Sequence, residues 1–116
     1  MRLKILVVDS TLLSSRTIAM MYEMYECEVT LALDIETSVD AVIRCPIDVV
    51  VTGPSFYRQH GAQLRAAIKE IRPELCIAAT GGPQDLVSDE PCCADVHLRP
   101  THFFTDLCRH MSLSAK

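Results

Sequence analysis

The chain has 116 residues, 49% of them hydrophobic, with no Trp and a formal net charge of -4. That length suits one domain able to bury a core without disulfide or metal staples. The acidic balance supplies no basic field for a polyphosphate backbone, which disfavours nucleic-acid binding by the bulk surface. The opening MRLKILVVDS is broken by Asp9 too soon for a signal peptide or a membrane span. A soluble, cytoplasmic protein without a membrane role is the expectation.

The predicted elements alternate along the chain. Leu3-Lys4-Ile5-Leu6-Val7-Val8 is a short apolar run with β-branched residues, read as a strand buried on both faces and stopped by Asp9. Ser10 and Thr11 are candidate N-caps, because their hydroxyls accept from free backbone N–H groups. Leu12, Leu13, Arg16, Ile18, Ala19, Met20, Met21 and Met24 then recur at helical spacing up to about Tyr25. The Met20-Met21-Met24 cluster is assigned to the core, with adaptable partner binding as the other use of such a face. Residues 28–32 alternate as a second strand. Asp34 caps a helix through Ile35, Val39, Val42 and Ile43, which Pro46 ends.

Asp48-Val49-Val50-Val51-Thr52 is the clearest strand, followed by Gly53-Pro54 and a loop to His60-Gly61. Leu64, Ala67, Ile68 and Ile71 form the stripe of a third helix, stopped near Pro73. Residues 75–79 are a fourth buried strand, ending at Thr80-Gly81-Gly82. Pro83 and Pro91 bracket the next stretch, where only Leu86-Val87 offers apolar anchorage, so residues 81–94 hold at most a short, mobile helix. Residues 95–98 are a fifth strand, Arg99-Pro100 a turn, and residues 103–113 a final helix capped by Thr101. Such alternation implies right-handed crossovers and a parallel sheet covered on both faces. Sites in open sheets of this kind lie at the carboxyl ends of the strands, which selects Asp9, Gly53, Thr80 and Arg99.

The six cysteines are Cys27, Cys45, Cys76, Cys92, Cys93 and Cys108. A disulfide framework needs a secreted context, and no export signal is visible, so free thiols are favoured. Cys76 in LCIAA and Cys108 in the final helix read as small buried hydrophobes; the role of Cys92 and Cys93 is open. With His97 and His102 as neighbours they are the best metal candidates. Zinc ligands, however, usually sit roughly two to four residues apart, and adjacent cysteines rarely chelate one ion. A structural or adventitious role is therefore favoured, with neither metal nor cofactor. His60 and His110 read as surface residues, and Arg109 with His110 complements the dipole at the end of the last helix.

The strand ends resemble those of a CheY-like receiver domain of a response regulator. KILVVDS is similar to the family's first strand, which normally ends in two acids. DVVVTGPSF is similar to its third strand, where the residue after the Thr is normally the phosphorylated Asp. The Gly61 spacing, IAATG with Thr80, and ADVHLRP with its basic-Pro pair fall in matching order, and the first helix fits without a gap. The resemblance covers essentially the whole chain. It implies an α/β, flavodoxin-like (βα)5 fold with a doubly wound parallel sheet of five strands in the order 2-1-3-4-5. The fourth helix is expected to be shortened by about one turn.

By that resemblance the phosphorylation pocket comprises Asp9, Ser10, Gly53, Thr80, Arg99 and Pro100, and it is degenerate. Gly53 stands at the acceptor and has no side chain to phosphorylate. Ser10 replaces the second acid, and Arg99 stands where the family usually has Lys. A small hard cation needs charged oxygens to offset its dehydration, and one carboxylate with a hydroxyl supplies too little. Phosphoryl transfer then lacks both its clamp and its nucleophile. Asp9 is expected to pair with Arg99 and close the empty site, in preference to acting as a residual metal ligand. For Thr80, turn chemistry and a relic anion contact stay open. Thr52 and Ser55 flank the lost acceptor, but no general base adjoins either in sequence.

The expected function is a phosphorylation-independent interaction module in two-component signal transduction, not an enzyme. Its partner would be another signalling protein (histidine kinase, output domain or regulator) or a second copy of itself. The alternatives are a working phosphorelay receiver with an unrecognised acceptor, and a small-ligand or redox module on a flavodoxin-like fold. The last lacks a phosphate-cradling loop, since Thr80-Gly81-Gly82-Pro83 is too short a signal.

Overall fold

Short β-branched runs become strands where the sequence places them. The structure, a computed structural model, describes residues 3–80, 96–98 and 103–110. Strands β1 (Lys4–Val8), β2 (Glu28–Ala32), β3 (Val49–Thr52), β4 (Cys76–Thr80) and β5 (Val96–Leu98) form one parallel sheet in the order β2-β1-β3-β4-β5. Ile5 pairs with Val29 on one side and Val49 on the other, and Val8 with Ala32 and Thr52. Strand β3 is buried from end to end, as is β1 beyond Lys4, which is why both read as unbroken apolar runs.

Period-two alternation divides the core. Leu6, Val8, Val50 and Ile77 face one helical layer, where α2 (Ile35–Arg44) contributes Ala41 and Val42 and α3 (Pro54–Ile71) contributes Leu64 and Ile68. Ile5, Val7, Val49, Val51 and Ala78 face the other way, towards Tyr22 of α1 (Leu12–Glu23) and Leu107 of the last described helix, here α4 (Phe103–His110). This is the doubly wound, flavodoxin-like architecture expected from the sequence. The strand order reverses direction between β1 and β3, so their carboxyl ends flank the crevice of the sheet. No helix among the described residues is long and apolar enough to cross a membrane.

Two readings of the sequence need correction. Residues 54–60, expected as a loop, are the first turns of α3. Gly53 takes the N-cap position, Pro54 begins the helix, and the Gly53 carbonyl accepts from Tyr57 N at 3.0 Å. Phe56 anchors this extension in the core between α2 and α3. The methionine cluster is not core: Met20 and Met24 are largely exposed, and Met21 is half-buried. Helix α1 buries Ser15, Ala19 and Tyr22 instead. Ser15 and Ala19 are small enough to bring the helix close to the sheet, and Tyr22 fills the remaining depth. The Ser15 hydroxyl lies 3.0 Å from the carbonyls of both Thr11 and Leu12, so its burial leaves no orphan. Thr11, not Ser10, is the cap, its hydroxyl accepting from Ser14 N at 3.1 Å.

Cys27 and Cys108 are free and buried, and burial pushes both thiols up, keeping them protonated. Cys76 is only half-buried. The expected short helix in residues 81–94, Cys92, Cys93, His102, the Thr101 cap and the end of the final helix beyond residue 110 lie outside the described residues.

Asp34 caps α2 in a reciprocal box. Its Oδ1 accepts from Thr37 N at 2.7 Å, and the Thr37 hydroxyl accepts from Asp34 N at 3.4 Å. The Thr37 hydroxyl, and then its backbone N–H, hold the Asp34 carboxyl below the usual aspartate range. A depressed carboxyl contributes stability above its unfolded pKa and loses it as pH falls through the folded one. Asp34→Ala should therefore lower the thermal midpoint at neutral pH, with the gap to wild type narrowing in acid. Melting curves at a series of pH values check this. A gap that is constant into acid would show that the carboxylate charge is not what the cap uses.

Candidate functional site at the strand ends

Asp9 is the first residue after β1, and Gly53 the first after β3. Gly53 N donates to Val8 O at 2.9 Å, and Asp9 N donates to Ala32 O at 3.3 Å, so three strand ends are tied together here. Asp9 is 3% exposed. Its carboxylate lies in the volume that a side chain at position 53 would need. A Cβ built on Gly53 would overlap Cγ and Oδ2 of Asp9 and stand 2.7 Å from Oδ1. The Gly53 backbone, at φ -74 and ψ 159, is open to any L-residue. The glycine is therefore not required by its own conformation; it is required by Asp9. Asp9 Oδ1 accepts from Ser10 N at 2.8 Å, which helps hold the carboxylate in this place.

The flanking hydroxyls are already committed or shut away. Thr80, at the end of β4, donates through Oγ1 to Thr52 O at 3.2 Å, so its hydroxyl ties β4 to β3. Thr52 is fully buried, and its Oγ1 has no hydrogen-bond partner among the described residues. Pairing with Val8 in register puts Thr52 on the α2–α3 side of the sheet, whereas Asp9 follows the alternation of Ile5 and Val7 to the other side. Asp9 is thus not placed as a base for Thr52. The side chain of Ser55 lies outside the described residues, as do Arg99 and Pro100, and with them the expected Asp9–Arg99 pair. No cation among the described residues pairs with Asp9. Nor do the described residues contain a group of three His, Cys, Asp or Glu able to hold a metal.

Ser10 is exposed and leads from the buried Asp9 into an open cleft of about 520 Å³ between the β2–α2 corner and α3. Asp34, Glu36, Phe56, Gln59 and His60 line it. The His60 ring leans over Phe56 with centroids 5.1 Å apart, and its Nδ1 lies 3.4 Å from Gln63 Oε1. This wall exists only because α3 starts early, so the sequence reading missed it. The signal that could have found it is Gly53-Pro54 as an N-cap and first helical residue, followed by Phe56, His60 and Leu64 at i, i+4 and i+8.

Known structures match this chain over nearly its whole length. The signal receiver domain of an HD domain-containing protein from Pseudomonas fluorescens Pf-5 superposes with a TM-score of 0.76 at 16% identity, covering 97% of this chain and 96% of that one. The response regulator TrrA from Thermotoga maritima, in complex with Mg²⁺-BeF, gives 0.73 at 18% identity, with 97% of each chain covered. A response regulator receiver domain protein from Clostridium thermocellum gives 0.67 at 26% identity, covering 95% and 91%. The chain has the CheY-like receiver fold. Neither a family model nor a curated protein matches the sequence. Within the receiver fold, Asp9, Gly53 and Thr80 assemble at neighbouring strand ends, while the Ser10 side chain opens towards the cleft.

Proposed function

We propose that this chain is a degenerate receiver domain that acts without phosphorylation, as a protein-binding module in two-component signalling, and that it is not an enzyme. Its partner is another signalling protein: a histidine kinase, an output domain or a regulator. The observation that carries this reading is the Asp9 carboxylate lying where the side chain of residue 53 would project. The likeness to receivers supports the signalling setting. A phosphoryl group needs an acceptor nucleophile and a cation clamp. Here position 53 has no side chain, and the one remaining acid is buried and turned into the vacancy. Mg²⁺ keeps near-octahedral oxygen ligation and gives up water reluctantly, so a single inward-turned carboxylate is a poor anchor for it.

Incubation with acetyl phosphate and Mg²⁺, followed by intact-mass measurement, should show no phosphorylated species. A stable gain of one phosphate would overturn the reading in favour of a working receiver with another acceptor.

A further inference from the structure

Helix α1 buries Ser15, Ala19 and Tyr22 and turns its opposite face to solvent. On that face Leu13 is 79% exposed, Met20 64% and Met24 82%, and Thr17, also exposed, stands between them. The intervals from Leu13 through Thr17 and Met20 to Met24 are four, three and four residues. That is the spacing of a coiled-coil seam, a narrow stripe suited to one facing helix. The Thr17 hydroxyl donates to Leu13 O at 2.9 Å, so it brings no unsatisfied donor to the seam. Arg16 and Glu23 lie seven residues apart on one flank, both exposed, and neither forms an ion pair within the described residues.

We propose that this face binds a second copy of the chain, with the two α1 helices packed antiparallel about a twofold axis. Leu13 then meets Met24 of the partner subunit, and Thr17 meets Met20 of the partner subunit. Arg16 falls beside Glu23 of the partner subunit, and symmetry makes that pair twice. The charges choose the orientation. In a parallel pair each Arg16 would face Met21 of the partner subunit and find no countercharge. The seam spans only about 17 Å, so the dimer is weak and reversible. Methionine suits such a surface because its side chain adapts to its neighbour at little cost. The inference deepens the interaction-module reading and rests on it for its purpose, but the seam itself does not involve the strand-end site.

Sedimentation velocity of the full chain, with a reductant present to exclude disulfide dimers, tests this across the micromolar to low-millimolar range. Wild type should show a concentration-dependent monomer–dimer equilibrium. Met20→Glu should remain monomeric throughout, with an unchanged melting temperature because the residue is exposed. Arg16→Glu should weaken the dimer about tenfold, and adding Glu23→Arg should restore it, since the exchanged charges pair again. A wild-type chain that stays monomeric would overturn the proposal, as would a dimer indifferent to Met20→Glu or a double variant no better than Arg16→Glu. None of these outcomes bears on acetyl phosphate labelling, so the two readings fail separately.

Discussion

Gly53→Ala should destabilise the chain by about 1–3 kcal/mol, the usual cost of adding a methyl group to a filled site. The sign is informative, because the backbone argument alone predicts the reverse. At φ -74 and ψ 159 an alanine is unstrained, and replacing glycine there normally stabilises by about 0.4–1 kcal/mol through the unfolded state. What opposes this is Asp9. The new Cβ would overlap its carboxylate carbon, not merely the tip of a flexible chain. Asp9 must then rotate about its first side-chain torsion and risk the hydrogen bond from Ser10 N. In an Asp9→Ala background the obstacle is gone, so Gly53→Ala should become neutral or stabilising. Urea denaturation of the two single variants and the double variant completes the cycle, with a coupling of about 1 kcal/mol or more expected between contacting residues. Additive effects, or stabilisation by Gly53→Ala alone, would show that Asp9 does not depend on the missing side chain.

This dependence was beyond reach in the sequence, and the reason is physical. Strands β1 and β3 were legible because central parallel strands must be apolar on both faces, which leaves a local signature. Their ends, with that of β4, then located Asp9, Gly53 and Thr80 together. The strand order came from the resemblance, and the observed order β2-β1-β3-β4-β5 bears it out. How Asp9 rotates is a tertiary matter: it follows from an empty volume on another strand, and no local pattern encodes that. The early start of α3 was misread because Gly53-Pro54 signals a turn and a helix start equally well. In α1 the fault lay in counting apolar residues. Leu13, Met20 and Met24 are the more hydrophobic set, yet the sheet admits Ser15 and Ala19 because they are small and Ser15 satisfies its own hydroxyl. The most apolar face of a helix need not be the face its own domain buries.

Acids placed at positions 10 and 53 should create a Mg²⁺ site, and on the proposed reading the wild type has none. In the variant carrying Ser10→Asp and Gly53→Asp, three carboxylates would stand at adjacent strand ends, enough charge to hold a partly hydrated Mg²⁺. The Gly53 backbone raises no objection, since its φ is not in the left-handed region. The obstacle is again Asp9, which must leave the volume that the new side chain enters. Without metal, the variant should therefore be less stable than wild type, through overpacking and through repulsion among carboxylates brought close together. Both penalties favour the cation: it draws Asp9 out of the vacancy and neutralises the cluster. Added Mg²⁺ should raise the melting temperature of the variant alone, by linkage worth about 2.7 kcal/mol at a hundredfold excess over Kd. Titration calorimetry should show saturable binding to the variant and none to wild type. The binding should fade in acid as the carboxylates take up protons. Binding by neither protein would mean that the strand ends no longer keep receiver geometry, and the reading of this site as a decayed phosphorylation pocket would fall. Equal binding by both would mean that Asp9 can already swing out to meet a cation, so that the pocket is open where we propose that it is closed.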